Sequence, residues 1–302
     1  MSHANPAGGE KREQRLVANG LDSHVYEWAP DAWSGTALLL HGYMDAGGSW
    51  DPVATKLAKA GLRVLAPDLR GYGDSARAPA GSYYHFQDYV ADVADLVEQL
   101  VGRTPLLLVG HSMGGTIATL YAGAFPANVT RLALLEGLGP PDSAFESMPD
   151  RMQTWIEQTR ALREGDGRRG KPLGTREDAL RRLAANHPGV AIEVLRARLP
   201  ELVTDDGRGG LVWKADPLHK PPSPMPFFAR AYLAFARRVT CPTLYVSGGP
   251  MGFHPEDEEE RLSSFASLER FEIPGAGHMM HWTRPDTVAD RLVQLWGSAT
   301  RA

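Results

Sequence analysis

Short apolar runs alternating with segments of helical period predict a doubly wound α/β protein. A break in that alternation between residues 140 and 238 predicts a helical insertion. The stretch Gly110-His111-Ser112-Met113-Gly114 sharpens the reading, because it lies where one apolar run ends and a helical segment begins. Apolar runs without a polar face suit strands covered on both sides, the condition of a parallel sheet.

Residues 1–10, rich in Gly, Pro and Ala, read as a loose tail. Residues 15–18 and 23–28 flank Asn19-Gly20, a strong hairpin signal, and are expected to pair antiparallel at one sheet edge. The runs at 36–40, 62–66, 106–109, 132–135, 243–246 and 268–273 read as further strands. Segments of helical period at 50–60, 85–101, 115–125 and 286–296 read as the helices between them. Asp286, after Pro285, suits a first helical turn, where the helix dipole favours a carboxylate. Within the insertion, helical patches at 151–162, 176–186 and 190–199 are separated by Gly- and Pro-rich loops. Residues 164–175 read as mobile, and 220–226 carry four prolines. The expected organisation is a core over residues 1–139 and 239–302, with a helical cap inserted at 140–238.

With 302 residues, 43% of them apolar, the chain is expected to be globular and long enough to bury a large core. Its longest purely apolar runs are short, such as Leu106-Leu107-Leu108-Val109, so no bilayer-spanning segment is expected. Residues 1–15 carry no apolar stretch that reads as a secretory signal, and a cytoplasmic protein is expected. The single cysteine, Cys241, excludes an intrachain disulfide and a cysteine-based metal cluster. A net charge of −4 gives no reason to expect nucleic acid as a partner. That sum hides an asymmetry: residues 150–240 carry +6 and the remainder −10. A basic insert on an acidic body could steer anionic substrates, although solvated Arg-rich helix faces account for the same count.

The chemistry-bearing residues lie at strand ends. A serine hydroxyl becomes a useful nucleophile when a sharp strand-to-helix turn exposes it beside a base, and Gly110 and Gly114 would relieve crowding around such a turn at Ser112. The helix that follows directs its positive end at developing negative charge. His41-Gly42-Tyr43 ends an earlier strand. Acyl transfer needs two backbone N–H donors for an oxyanion, and Met113 and Tyr43 are the expected pair. His41 then shapes its loop, with a role as the base as the competing reading. Gly275-Ala276-Gly277-His278 offers a base in a flexible loop after the last strand. His281 is the alternative base, otherwise a packing residue. The two histidines lack the spacing of a zinc site, and the expected acyl-transfer chemistry needs no metal or organic cofactor.

The order His41-Gly42, Asp68-Leu69-Arg70-Gly71-Tyr72-Gly73-Asp74-Ser75, Gly110-His111-Ser112-Met113-Gly114-Gly115 and Gly277-His278 resembles the α/β-hydrolase superfamily. The resemblance covers most of the chain outside the insertion. It implies an eight-stranded, mostly parallel sheet with helices on both faces and a Ser–acid–His triad. It also implies a structural role, without chemistry, for Asp68 and Arg70. Leu134-Leu135-Glu136-Gly137-Leu138-Gly139-Pro140 and Trp213-Lys214-Ala215-Asp216-Pro217 resemble more narrowly the serine hydrolase-like branch near epoxide hydrolases and haloalkane dehalogenases. Those last two groups use an aspartate nucleophile, so Ser112 disfavours both of their activities here.

Many members of the superfamily carry the acid shortly after the strand read at 243–246, but Met251 stands there, and a thioether cannot stabilise an imidazolium. Another group of members carries the acid where this chain has Glu136. Glu256, Asp257 and Glu258 are its rivals, and a chain with no working acid would point to a binding module of the same fold. The expected activity is cleavage of a small or medium carboxylic ester through an acyl-enzyme. Ser112 would be nucleophile, His278 base and Glu136 acid. Thioesters, amides, lactones and carbon–carbon bonds beside a ketone are the alternatives. Trp155, Trp213, Phe227, Phe228 and Tyr232 are aromatics of the insertion that could line a pocket for a small-molecule acyl substrate, or pack the insertion itself.

Overall fold

Asn19 and Gly20 turn the chain with positive φ of 46° and 75°, the primed-turn geometry whose twist matches the strands it joins. They link β1 (Lys11–Ala18) to β2 (Leu21–Trp28) in the computed structural model, which describes residues 10–164, 167 and 170–298. The tail read over residues 1–10 therefore falls outside the described residues, save residue 10. So do 165, 166, 168 and 169 of the segment read as mobile.

The chain continues through β3 (Gly35–Leu40), α1 (Asp51–Lys59), β4 (Leu62–Pro67) and α2 (Phe86–Leu96). Next come β5 (Leu106–His111), α3 (Met113–Ala124) and β6 (Arg131–Leu135). The stretch after β6 holds α4 (Met148–Arg163), α5 (Arg176–Asn186), α6 (Ile192–Leu202), the short strands β7 (Val203–Asp205) and β8 (Leu211–Trp213), and α7 (Ala229–Ala236). The sheet resumes at β9 (Thr243–Ser247), followed by α8 (Glu258–Ser263), β10 (Leu268–Glu272), α9 (Met280–Thr283) and α10 (Pro285–Gly297).

Eight strands form one sheet in the order β1-β2-β4-β3-β5-β6-β9-β10. Only β2 pairs antiparallel, with β1 and β4; every other neighbouring pair is parallel. Alternate residues of the central strands feed two separate cores. Ala37, Leu39, Leu107 and Val109 pack with Val53 and Leu57 of α1 and Val288 and Leu292 of α10. Leu38, Leu40, Leu106 and Leu108 pack on the other face with Val93 of α2 and Ile117 of α3. Burial on both faces is why these strands read as unbroken apolar runs.

A third cluster joins Leu180 and Leu183 of α5 to Leu195 and Leu199 of α6, and seats them on Ala46, Met279 and Trp282. Helix α7 packs on the sheet side instead: Tyr232 is buried there and its hydroxyl donates to Thr119 Oγ1 at 3.2 Å. The β7–β8 hairpin, α7, α8 and α9 are absent from the sequence reading, because three- to eight-residue elements span too few periods to register. Helix α3 begins at Met113, two residues before the expected start, because the turn ahead of it consumes one residue alone.

Candidate active site

The loops after β3, β5, β6, β9 and β10 leave the sheet at its carboxyl edge, where open α/β sheets place ligands. Ser112 sits between β5 and α3 with φ 51° and ψ −118°, a sparsely populated conformation that costs roughly 1–3 kcal/mol. Its N–H donates to the Leu135 carbonyl at 3.0 Å, and its own carbonyl accepts from Gly115 and Thr116. A Cβ on Gly110 would overlap the Gly114 carbonyl, and one on Gly114 would overlap the Leu40 carbonyl. The two glycines let strand and helix close around the serine.

Glu136 leaves β6 with φ 45°, which aims its carboxylate across the sheet edge toward the loop after β9. Oε1 accepts the Gly248 N–H at 2.6 Å, and Oε2 accepts the Phe253 N–H at 2.7 Å and bonds His278 Nδ1 at 2.7 Å. Burial opposes ionisation of this carboxyl, but the His278 bond and the two backbone N–H groups outweigh it and hold the group below the usual glutamate range. An ionised carboxylate only accepts, so Nδ1 of His278 carries a proton, and in the neutral ring the lone pair is left on Nε2. A side chain on Gly252 would occupy the position of Oε1.

The other acids lie elsewhere. Asp257 pairs with Arg261 at 2.8 Å, Glu258 binds His254 and the Tyr245 hydroxyl, and Glu256 is exposed. Met251 is 65% exposed and makes no polar contact with His278. Asp68 accepts the N–H groups of Gly47 and Asp74 and bonds His24, while Arg70 pairs with Asp92, so both residues brace the turn between them.

His41 is fully buried, and both of its ring nitrogens are committed to backbone. Nε2 accepts from Leu69 N–H at 2.9 Å, so Nδ1–H donates to the Gly42 carbonyl at 2.8 Å. That anchors the Gly42–Tyr43 turn. Among the described residues, the amides of Tyr43 and Met113 have no acceptor within the chain, and Ser112 Oγ and His278 Nε2 share no hydrogen bond. His278 is held from behind, where His111 Nε2–H donates to its carbonyl at 2.9 Å. His281 is buried, stacks near His111 and Trp50, and bonds Asp45 at 2.9 Å. Burial pushes the Asp45 carboxyl up and the His281 and His111 imidazoles well down.

Ligand atoms of Asp45, His111 and His281 lie within 4.8 Å of one another, as do those of His24, Asp68 and Asp74, and among the described residues these are the groups whose donor types could hold a cation. Each set is hydrogen-bonded within the chain: Asp45 to His281, His111 to the His278 carbonyl, His24 to Asp68, and Asp74 to Lys214.

Ser112, Met113, Tyr43, Glu136 and His278 all line one cavity of about 340 Å³, near the small end of the ligand-pocket range. Much of the rest of its wall is aromatic, with Tyr72, Tyr83 and Tyr84 from the β4–α2 connection and Phe86 and Tyr89 from α2. None of Trp155, Trp213, Phe227 and Phe228 lines it. Trp155 packs edge-on to Tyr83, Phe227 contacts Phe86 and Tyr232, Phe228 stacks on Phe145, and Trp213 belongs to β8. Three of these rings pack against Tyr83, Phe86, Tyr232 and Phe145, whereas the cavity takes its tyrosines from the loop after β3, the β4–α2 connection and α2. The adjacent pair Tyr83-Tyr84 was the sequence signal available for that wall. Asp45 carried none, since its partner lies 236 residues away.

Residues 37–285 match the family model of the alpha/beta hydrolase fold. A serine hydrolase-like protein of Dictyostelium discoideum is 27% identical over 276 residues, covering 87% of this chain and 75% of that one. Epoxide hydrolase A of Mycobacterium tuberculosis is 26% identical, covering 95% of this chain and 98% of its own. The crystal structure of the hypothetical protein PA1622 from Pseudomonas aeruginosa PAO1 superimposes with a TM-score of 0.82 at 28% identity, covering 94% of this chain and 97% of that one. No helix among the described residues is long and apolar enough to cross a membrane.

Proposed function

The chain belongs to the alpha/beta hydrolase family, and from that premise we propose that it is a serine hydrolase cleaving a small or medium carboxylic ester through an acyl-enzyme. The observation that carries the proposal is the 2.7 Å bond between His278 and a buried, ionised Glu136, on the wall of the cavity that also holds the strained Ser112. His278 Nε2 takes the proton from Ser112 Oγ as the oxygen attacks the ester carbonyl carbon. The carbonyl oxygen becomes an oxyanion facing the Tyr43 and Met113 amides and the positive end of α3. Glu136 stabilises the imidazolium that forms. When the tetrahedral adduct collapses, the carbon–alkoxide bond breaks and the departing alcohol takes the proton from Nε2. Water then repeats the sequence on the acyl-enzyme, releasing the acid and restoring Ser112.

Residues 140–238 form the cap in this reading. Three core tyrosines bind its 216–221 strap, whose backbone and side chains close one side of the cavity: Tyr43 to His219 O, Tyr83 to Pro221 O and Tyr84 to Asp216.

The test is labelling with a fluorophosphonate alongside turnover of p-nitrophenyl esters. The wild-type chain is expected to label and turn over, and Ser112→Ala to do neither. Equal labelling of Ser112→Ala, or unlabelled wild type without turnover, would refute the proposal.

A further inference from the structure

The basic excess of residues 150–240 raises the question of which acyl groups the site accepts. Among the described residues, none of the Lys or Arg residues of that span lines the cavity beside Ser112. Three of them are engaged by other residues of the chain. Arg151 donates to the Ser223 carbonyl at 2.7 Å, Lys214 pairs with Asp74 at 2.6 Å, and Arg196 pairs with Glu177 at 2.6 Å. On the core side, Arg261 donates to the carbonyls of Leu138, Gly139 and Pro140 and pairs with Asp257, behind the wall.

What the cavity presents is neutral or negative. The hydroxyls of Tyr43, Tyr83 and Tyr84 are donated to the 216–221 strap. The Tyr72 hydroxyl has the Met113 sulfur at 3.9 Å as its partner. His219 lines the wall between the rings of Tyr72 and Tyr84, at centroid distances of 4.0 and 3.9 Å, with Nε2 on the Gly71 carbonyl. Burial pushes its imidazole down to about 3, so it supplies no cation near neutral pH. Glu136, the one carboxylate among the described residues of the wall, repels another. The positive end of α3 faces the oxyanion position.

We propose that the acyl group entering this cavity is uncharged and apolar, aliphatic or aromatic, and that acyl groups ending in a second carboxylate are rejected. The proposal rests on Ser112 being the nucleophile. A terminal carboxylate would lose water without gaining a counter-ion, and the effective penalty of several kcal/mol for such a burial corresponds to at least about a hundredfold in kcat/KM. The basic exterior of the insertion then has no part in choosing the acyl group.

The test uses three p-nitrophenyl esters of matched length: the pentanoate, the glutarate half-ester with its free carboxylate, and the same glutarate capped as its methyl ester. Each is measured at low and high salt, with fluorophosphonate labelling of the same preparation. The expected result is efficient turnover of the pentanoate and the capped ester, with the free acid slower by about a hundredfold or more at both salts. Turnover of the free acid within tenfold of the capped ester would overturn the proposal and leave the nucleophile assignment intact. A low-salt preference for the anion that fades with added salt would also overturn it, in favour of steering by the basic surface. An unlabelled serine with no turnover of any ester would remove the nucleophile, and this proposal with it.

Discussion

Replacing Glu136 with Gln removes one charge and changes little in shape, so the cost can be worked from the three bonds its carboxylate makes. At an effective dielectric of about 20, the attraction between the carboxylate and an imidazolium about 4 Å away is about 4 kcal/mol. At about 1.4 kcal/mol per decade, that is roughly a thousandfold in kcat. The amide adds a second penalty. If its NH₂ takes the place of Oε2, it faces the Phe253 N–H and turns His278 to the wrong tautomer. If it takes the place of Oε1, it faces the Gly248 N–H. Either arrangement leaves a buried donor unsatisfied, at about 1–3 kcal/mol of stability. The expected outcome for Glu136→Gln is therefore a kcat lower by about 10³–10⁴ on a p-nitrophenyl ester, with KM changed little, the upper figure being that of the matching change in a serine protease. Thermal unfolding of the same sample verifies that the variant is folded. Asp257→Asn and Glu258→Gln, whose carboxylates bind Arg261 and His254, should keep kcat within a few-fold. A Glu136→Gln enzyme retaining more than a tenth of its turnover, or an Asp257→Asn enzyme losing as much as predicted for Glu136, would refute the reasoning.

Gly114→Ala would drive a methyl into the Leu40 carbonyl, so it should destabilise the fold by several kcal/mol and abolish labelling of Ser112; a normal melt with normal labelling would contradict this. Asp45→Ala leaves the buried His281 ring N–H without its acceptor and should cost about 1–3 kcal/mol by urea unfolding, and a cost below about 0.5 kcal/mol would show that the pair is not integral to the fold. Stability should fall as pH drops from 7 to 5. His219 titrates near 3 in the folded chain, against an ordinary value of 6.5, so the unfolded chain binds the extra proton in between. The expected loss from this group is up to about 1.4 kcal/mol per pH unit below 6.5. His111 and His281 are shifted in the same sense, while His24, held up by Asp68 against its own burial, works in the other. Urea midpoints that stay level or rise toward pH 5 would refute the buried neutral state.

The sheet was legible because its central strands are covered on both faces. Runs such as Leu106-Leu107-Leu108-Val109 contain no polar residue that a helix or an edge strand would carry. The turn at Ser112 was legible for a related reason: two flanking glycines between a strand and a helix have few other uses. Glu136 could be read as the first residue beyond its strand, but its positive φ could not, and that angle is what turns the carboxylate toward His278. The cavity wall was not legible. Its tyrosines come from the loop after β3 (Tyr43), the connection between β4 and α2 (Tyr72, Tyr83, Tyr84) and α2 itself (Tyr89), segments that meet at the end of the sheet because β3 and β4 are neighbours. The aromatics of the insertion, by contrast, looked available and were needed for packing. The Asp45–His281 pair was hidden by distance along the chain.

Glu136 is gripped by main-chain groups of the β9 loop, Gly248 N–H and Phe253 N–H, and by no side chain of that loop. Recognition of the carboxylate is thus indifferent to the identity of residue 251. Met251 instead forms part of a separate cavity of about 400 Å³ that also reaches His278. The loop thereby divides its labour. Its backbone carries the electrostatics, and its outward side chain is free to drift, reshaping the surroundings of the imidazole without disturbing the proton it guards.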